Sequence, residues 1–447
     1  MVIKRKRIII IIAIAFIAIA FFMHLATFCH AKHDYININD PFIKKIPIVI
    51  PLFTTICSTR QEAQSVKNIA DILKNTLEFT DFFKIISQTA CLSTESQKNI
   101  TSKNINFQQF FSSGAELLIT GGIKTNGGII EAEFRLFDTY KKKQLIGKKY
   151  KGWIKDKRKI IYRFCNEVIY NLTGTKGIFG SKIAFVSTGS GNKEIYFCGF
   201  DGFNPTKFTN TKAITISPSW SSDTKWIAYT SYKNGKPDIF IKNIFNRKKY
   251  VIAQKGINIT PAWIPVPFKF TMAATLSFSG DHEIYILTGK GKIIKRLTEK
   301  TGIDISPTWS PDGKKIAFVS KRSGTPQIYI KNINGKGVKR LTYNGRYNTQ
   351  PSWSPKGDKI AYSSLANNQI NIFVIDIYGK NLFQLTSNSG DNESPSWSPD
   401  GNFIGFSSTR KGKSKIYVMT AKGKSQRPIV ELTGEQSDPS WSPYIYF

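Results

Sequence analysis

Three aspartates, Asp312, Asp358 and Asp400, recur in the second half of the chain and look like an acidic set of the kind a hydrolase uses. Each neighbours a glycine in a short polar stretch such as Asp312-Gly313-Lys314-Lys315, where an aspartate shapes a turn by accepting backbone hydrogen bonds. Beyond the N-terminal leader described below, the histidines are His33 and His282, far apart in the chain. A zinc site needs several converging ligands, and a triad needs a base beside its nucleophile, so two scattered histidines support neither. Gly412-Lys413-Ser414 and Gly423-Lys424-Ser425 end like phosphate-binding loops but lack the upstream glycine. No Gly-x-Ser-x-Gly elbow occurs. Cys57, Cys91, Cys165 and Cys198 are irregularly spaced without a Cys-x-x-Cys; a Cys57–Cys91 bridge and free buried thiols both stay open. The residue types thus predict no catalytic set, no metal and no cofactor.

What does recur is a Pro-x-Trp. Tryptophans at 220, 263, 309, 353, 397 and 441 are spaced by 43, 46, 44, 44 and 44 residues, each two after a proline. That is the period of a β-propeller blade of four strands. In the unit at Trp309, the turn Pro311-Asp312-Gly313 is followed by strand-like runs at 315–320, 327–331 and 338–342, separated by Ser323-Gly324 and Asn334-Gly335. The unit at Trp263 is degenerate, with Pro265 and Pro267 where Pro-Asp-Gly is expected. Before Trp220 only three strands fit, at 181–186, 194–197 and 205–209, and the chain stops six residues after Trp441. The last Pro-Ser-Trp strand is therefore expected to complete the first blade, closing a six-bladed ring without open edges.

Binding chemistry is expected where the innermost strands begin. Three residues before each proline stand Thr215, Asn258, Asp304, Asn348, Asn392 and Gln436; one before stand Ser217, Thr260, Ser306, Gln350, Ser394 and Asp438. Two concentric polar rings would suit a hydrogen-bonding partner lying across the mouth, the alternative being a solvated set of loops.

Ahead of the ring, residues 32–176 do not repeat. A buried strand at 45–52, a helix carrying Ala63, Val66, Ala70, Leu73 and Leu77, strands at 82–87, 116–123 and 129–137, and a helix carrying Ile161, Phe164, Val168 and Leu172 predict a small α/β domain. Gly174-Thr175-Lys176-Gly177 ends that helix and leads into residues 177–447, the propeller. Residues 1–31 read as a signal peptide: Lys4 to Arg7 are basic, 8–23 are apolar, and Cys29-His30-Ala31 offers a cleavage site, an uncleaved anchor being the alternative. The net charge is +34. It favours anionic partners, but the basic residues are spread through turns and no nucleic-acid recognition module is present.

The chain resembles the TolB family, periplasmic components of the Tol–Pal envelope system of Gram-negative bacteria. The likeness rests on the Pro-x-Trp-Ser-Pro-Asp-Gly repeat and on Glu167-Val168 with Leu172-Thr173-Gly174-Thr175-Lys176-Gly177. It rests further on Phe200-Asp201-Gly202-Phe203 and the terminal Trp441-Ser442-Pro443-Tyr444. The resemblance implies a non-enzymatic, monomeric adaptor, peripheral to membranes through its partners. It implies that the lipoprotein Pal binds at the mouth, at Thr215, Asn258, Asp304, Asn348, Asn392 and Gln436. It implies that TolA binds an N-terminal segment comprising Lys32, His33, Asp34, Tyr35, Ile36, Asn37, Ile38, Asn39 and Asp40. The associated roles are outer-membrane integrity and cell division. Two rival readings are a propeller hydrolase or lyase acting on cell-wall material, and a charge-driven binder of anionic envelope polymers.

Overall fold

A computed structural model describes residues 44–87, 105–267, 269–299 and 302–444. The signal peptide, the segment 32–40 and Cys91 lie outside the described residues.

The N-terminal domain is a six-stranded sheet in the order β3-β1-β4-β5-β6, with β2 also pairing with β4. The strands are β1 (Ile46–Val49), β2 (Thr54–Cys57), β3 (Phe83–Ile85), β4 (Leu117–Asn126), β5 (Ile129–Asp138) and β6 (Lys143–Trp153). The apolar run expected as one strand at 45–52 is split. Pro51 interrupts the ladder, and β1 and β2 pair with successive parts of β4. The expected single helix is split too, into α1 (Arg60–Val66) and α2 (Ile69–Glu78). Val66, Ala70, Leu73 and Leu77 are buried as expected, but Ala63 is exposed and Glu62 is buried in its place. The Glu62 carboxylate accepts from the Gly128 N–H (2.8 Å) and the Thr125 hydroxyl (3.1 Å), pinning α1 to the β4–β5 turn. The short α3 (Phe107–Ser112) precedes β4, and α4 (Lys157–Thr173) buries Ile161, Phe164 and Val168. Gly174 caps α4 with φ of 70°, a left-handed conformation that costs glycine nothing.

The propeller has six four-stranded sheets. Blade I combines Gln436–Trp441 with Lys182–Ser187, Glu194–Gly199 and Thr206–Lys207, so the C-terminal strand closes the ring as the sequence predicts. The innermost strands of blades II to VI are Thr215–Trp220, Asn258–Trp263, Asp304–Trp309, Asn348–Trp353 and Asn392–Trp397. All six tryptophans are buried. Trp220, Trp309 and Trp397 donate their indole N–H to a carbonyl of the preceding blade, and Trp441 donates to the Ser181 hydroxyl (2.9 Å). Trp353 donates to the Gly357 carbonyl of its own blade (3.3 Å), while the buried Trp263 N–H has no partner among the described residues, so each indole is a wedge but only three satisfy their polar end across a seam.

The two domains share one continuous apolar core. Phe200 of blade I meets Phe79, Tyr162 and Phe179 at centroid distances of 5.0, 5.3 and 5.4 Å. Asp201 receives hydrogen bonds from Arg158 (3.1 Å) and the Tyr162 hydroxyl (3.0 Å), both on α4. A Cβ on Gly202 would lie 1.5 Å from the Ile429 carbonyl oxygen, so the joint between blades I and VI requires glycine there. Arg427 of blade VI donates to the Phe79 carbonyl (2.7 Å) and covers the Phe79 ring.

Candidate functional site

The innermost strands begin at one mouth of the ring, here the front, and end at the other, the rear. The domain joint fixes which one is covered. Phe200 to Phe203 and Ser425 to Arg427 lie in connections between the third and fourth strands of blades I and VI, on the rear side. The N-terminal domain therefore sits against the rear, off the axis.

At the rear, a cavity of about 360 Å³ is lined by Trp220, Trp309, Trp397, Ser352, Ser440 and Pro443 among others, with no carboxylate among the lining residues described. Asp312 and Asp400 build the turns beside it. Their carboxylates accept from the backbone N–H two residues on (3.0 Å each) and from the serine two residues before. Asp223, unremarked in the sequence, occupies the same place in blade II (3.0 Å to the Lys225 N–H). Asp358 does not, because Lys356 holds the equivalent position and Asp358 follows the glycine. Asp223, Asp312 and Asp400 are turn formers. His282 lies in a front connection of blade III, where its carbonyl accepts from the Asp304 N–H (2.9 Å). Among the described residues no cluster of His, Cys, Asp or Glu could hold a metal. Cys57, Cys165 and Cys198 are free thiols.

At the front the residues three before each proline lie below the surface. Thr215, Asn258, Asp304, Asn348, Asn392 and Gln436 are all buried, at most 2% exposed, and their side chains do not face the mouth. They serve the blades from within. The Asn258 amide donates to Asp238 (3.0 Å) and the Asn348 amide to Gln327 (2.8 Å). Arg322 reaches Asp304 (2.7 Å) and Arg410 reaches Asn392 (3.0 Å). Thr215 meets the Ser231 hydroxyl (3.1 Å), and the Gln436 amide donates to the Leu432 carbonyl (2.9 Å). Burial pushes the Asp304 carboxyl up, opposed by the Ser320 hydroxyl and Arg322. The physical reason for polarity here is that a ring built from strand ends buries backbone and side-chain donors that need partners.

The second ring stays at the surface. Ser217, Thr260, Ser306, Gln350, Ser394 and Asp438 are half-buried, and all have φ between 49° and 55°. Left-handed backbone directly before a proline is unfavourable, costing on the order of 1–3 kcal/mol per residue. Strand register slips at the same point in every blade. Bonds across the seams hold most of the strained residues. Ser217 donates its N–H to Asp438 (3.3 Å), Thr260 to the Thr230 hydroxyl (3.2 Å) and Ser394 to Gln350 (3.0 Å). The Ser394 hydroxyl also donates to Asp438 (3.2 Å), and burial raises the Asp438 carboxyl. The arrangement is a rigid, polar, solvent-facing ring that can offer hydrogen bonds without reorganising.

Sequence reasoning missed two neighbouring positions, four and two residues before each proline, which lie at the front surface in all six blades. Reading the repeat column by column, rather than asking only which columns are polar, would have found them.

The comparisons agree with this architecture. The description "TolB amino-terminal domain" matches residues 34–145, and "TolB beta propeller domain" matches residues 169–445. The chain is 49% identical over 272 residues to the "Tol-Pal system protein TolB" of Desulfosudis oleivorans, covering 61% of this chain and 62% of that one. It is 42% identical over 292 residues to the "Protein TolB homolog" of Chlorobium chlorochromatii, covering 65% of each. Both alignments span less than two thirds of the relative's length. The crystal structure of TolB from Acinetobacter baumannii superposes with a TM-score of 0.77 at 25% identity, over 90% of this chain and 97% of that one. With both domain descriptions matched, in the order in which the fold presents them, the chain belongs to the TolB family.

Proposed function

We propose that this chain is a non-enzymatic component of the Tol–Pal system, working in the periplasm as an adaptor for outer-membrane integrity and cell division. On this reading the signal peptide 1–31 is removed, residues 32–176 form the N-terminal domain and residues 177–447 the propeller. The front mouth docks the lipoprotein Pal, and the segment Lys32 to Asp40 engages TolA. The observation that carries the reading is the second ring. Six strained residues before proline, five of them joined by hydrogen bonds across the seams, surround the mouth that the N-terminal domain leaves uncovered. Backbone strain maintained at one place in every blade suits a preorganised recognition surface.

The test is a pull-down of residues 32–447 against an envelope fraction at low and at physiological salt. Recovery of one lipoprotein of the Pal type, retained at physiological salt, is the expected result. The net charge of +34 favours a second reading, a binder of anionic envelope polymers. Recovery of many anionic species that wash off with salt would select that one.

A further inference from the structure

The front mouth has pseudo-sixfold backbone symmetry and a two-sided surface. In every blade the residue four before the proline accepts, through its carbonyl, a hydrogen bond from a residue at the front end of the second strand. Tyr232 donates to Ile214, Ser277 to Ile257, Lys321 to Ile303, Leu365 to Tyr347, Thr409 to Asp391 and Thr188 to Glu435, over 2.9–3.1 Å. The backbone is thus equivalent six times, while the side chains change sharply around the ring. Blades II to V present Ile214, Ile257, Ile303 and Tyr347; blades VI and I present Asp391 and Glu435. The position two before the proline repeats the division in part, with Ile216, Ile259 and Ile305 in blades II to IV, Glu393 in blade VI, and the neutral polar Thr349 and Ser437 in blades V and I. Ile214 and Tyr232 are 50% and 38% exposed, and Tyr347 and Leu365 41% and 44%. These apolar pairs stand in blades II and V, with half-buried Ile257 and Ile303 between them beside Ser277 and Lys321, and exposed apolar side chains grouped on one side of a rim suit protein contact.

In these two columns the opposite arc carries only acids and a serine, in a chain with 64 basic and 30 acidic residues, and the exposed Lys411 and Lys413 stand in the neighbouring front connection of blade VI. Asp391 and Glu435 are exposed, and burial, with the charges of Asp391 and Asp438, pushes the half-buried Glu393 carboxyl up. Among the described residues none of these four carboxylates has an ion-pair partner. The field of Lys193 reaches Asp438, while Arg410 of the same sector is committed to Asn392 and Ser408.

We propose that the front mouth recognises a protein face divided in the same way: an apolar patch over blades II to V and lysine or arginine side chains over blades VI and I. This rests on the reading of the mouth as a docking face and adds to it a rotational register. A ring with six equivalent backbones offers a partner six nearly equal orientations. Opposed apolar and acidic arcs leave one, since a cation placed over Ile214 would lose water without gaining a charge, and an apolar patch over Asp391 and Glu435 would strip their hydration.

The experiment has two arms, both with residues 32–447. In the first, the affinity for the soluble domain of the captured lipoprotein is measured for the wild type, D391K/E435K and I214S/Y347S, with thermal melts confirming that each variant is folded. Both double variants are expected to weaken binding by about tenfold or more, and D391K/E435K also to change the salt dependence. In the second, a short Leu/Lys peptide and its Leu/Glu counterpart are compared. The wild type is expected to prefer the Leu/Lys peptide in spite of its own positive charge, and D391K/E435K to lose that preference. Wild-type lipoprotein binding that neither double variant changes would overturn the divided mouth while leaving the adaptor reading intact. Failure of the wild type to bind the lipoprotein, with the peptide preference as expected, would overturn the adaptor reading and leave the divided mouth standing. A Leu/Glu preference in the wild type would overturn the divided mouth in either case.

Discussion

Each innermost strand joins two chemically different ends. At the rear end stands a tryptophan in all six blades, buried in a seam. At the front end the preceding residue is Ile214, Ile257, Ile303, Tyr347, Asp391 or Glu435, on backbones that make the same hydrogen bond. Where the ring needs the same wedge six times, the sequence repeats it. Where the backbone alone satisfies the fold, the side chain is released from structural duty and differs from blade to blade. Repetition therefore marks construction, and variation on an equivalent backbone marks recognition.

The rear end carries the largest expected effect. Trp441 belongs to the closing strand and ties it to Ser181, so W441A removes a large buried wedge at the point where the ring is sealed. It should destabilise the protein by about 3–5 kcal/mol in denaturant unfolding. A loss under about 1 kcal/mol would mean that the ring does not depend on its latch. The domain joint follows. Phe200 packs against three aromatic rings from the N-terminal domain and the joint, so F200A should cost about 3 kcal/mol and loosen one domain from the other. Hydrogen exchange in α2 and α4 would report that loosening.

The comparison also explains what could be read in advance. The propeller was legible because Pro-x-Trp and its glycine turns recur with a fixed period, and the missing strand before Trp220 announced closure. The N-terminal domain was legible in class but not in detail. The strand β6 has Lys143, Lys148, Lys149 and Lys151 with Gly147 and Gly152, a composition that hides an edge strand while guarding it against further pairing. The split of β1 from β2 depends on which part of β4 each meets, a tertiary fact that a continuous apolar run does not express. At the site, polarity in the column three before proline was visible, but burial was not. Asn258 and Asn348 look from sequence like rim residues, and only the third strands bearing Asp238 and Gln327 account for their amides.

That buried ring gives the next prediction. N258A removes the amide that bonds Asp238 and the Gln254 carbonyl, and should cost about 1–3 kcal/mol of stability. Because the side chain is buried, partner affinity measured on the folded fraction should be unchanged. A fall in affinity without a fall in stability would move the recognition surface inward from the rim.

The smallest expected effect on folding divides the two ends most sharply, because it lies on the same strand as a wedge. Ile214 immediately precedes Thr215–Trp220 and is half exposed, and what fixes it to the blade is its carbonyl, which accepts from Tyr232. I214S keeps that hydrogen bond and removes exposed apolar surface, so stability should change by no more than about 0.5 kcal/mol. W220A, six residues along, should cost about 3–5 kcal/mol. Partner binding should rank the pair the other way, with I214S weakening affinity and W220A, where still folded, leaving it alone. Equal stability losses would mean that the front column is as structural as the rear one, and that its variation around the ring reflects packing instead of recognition.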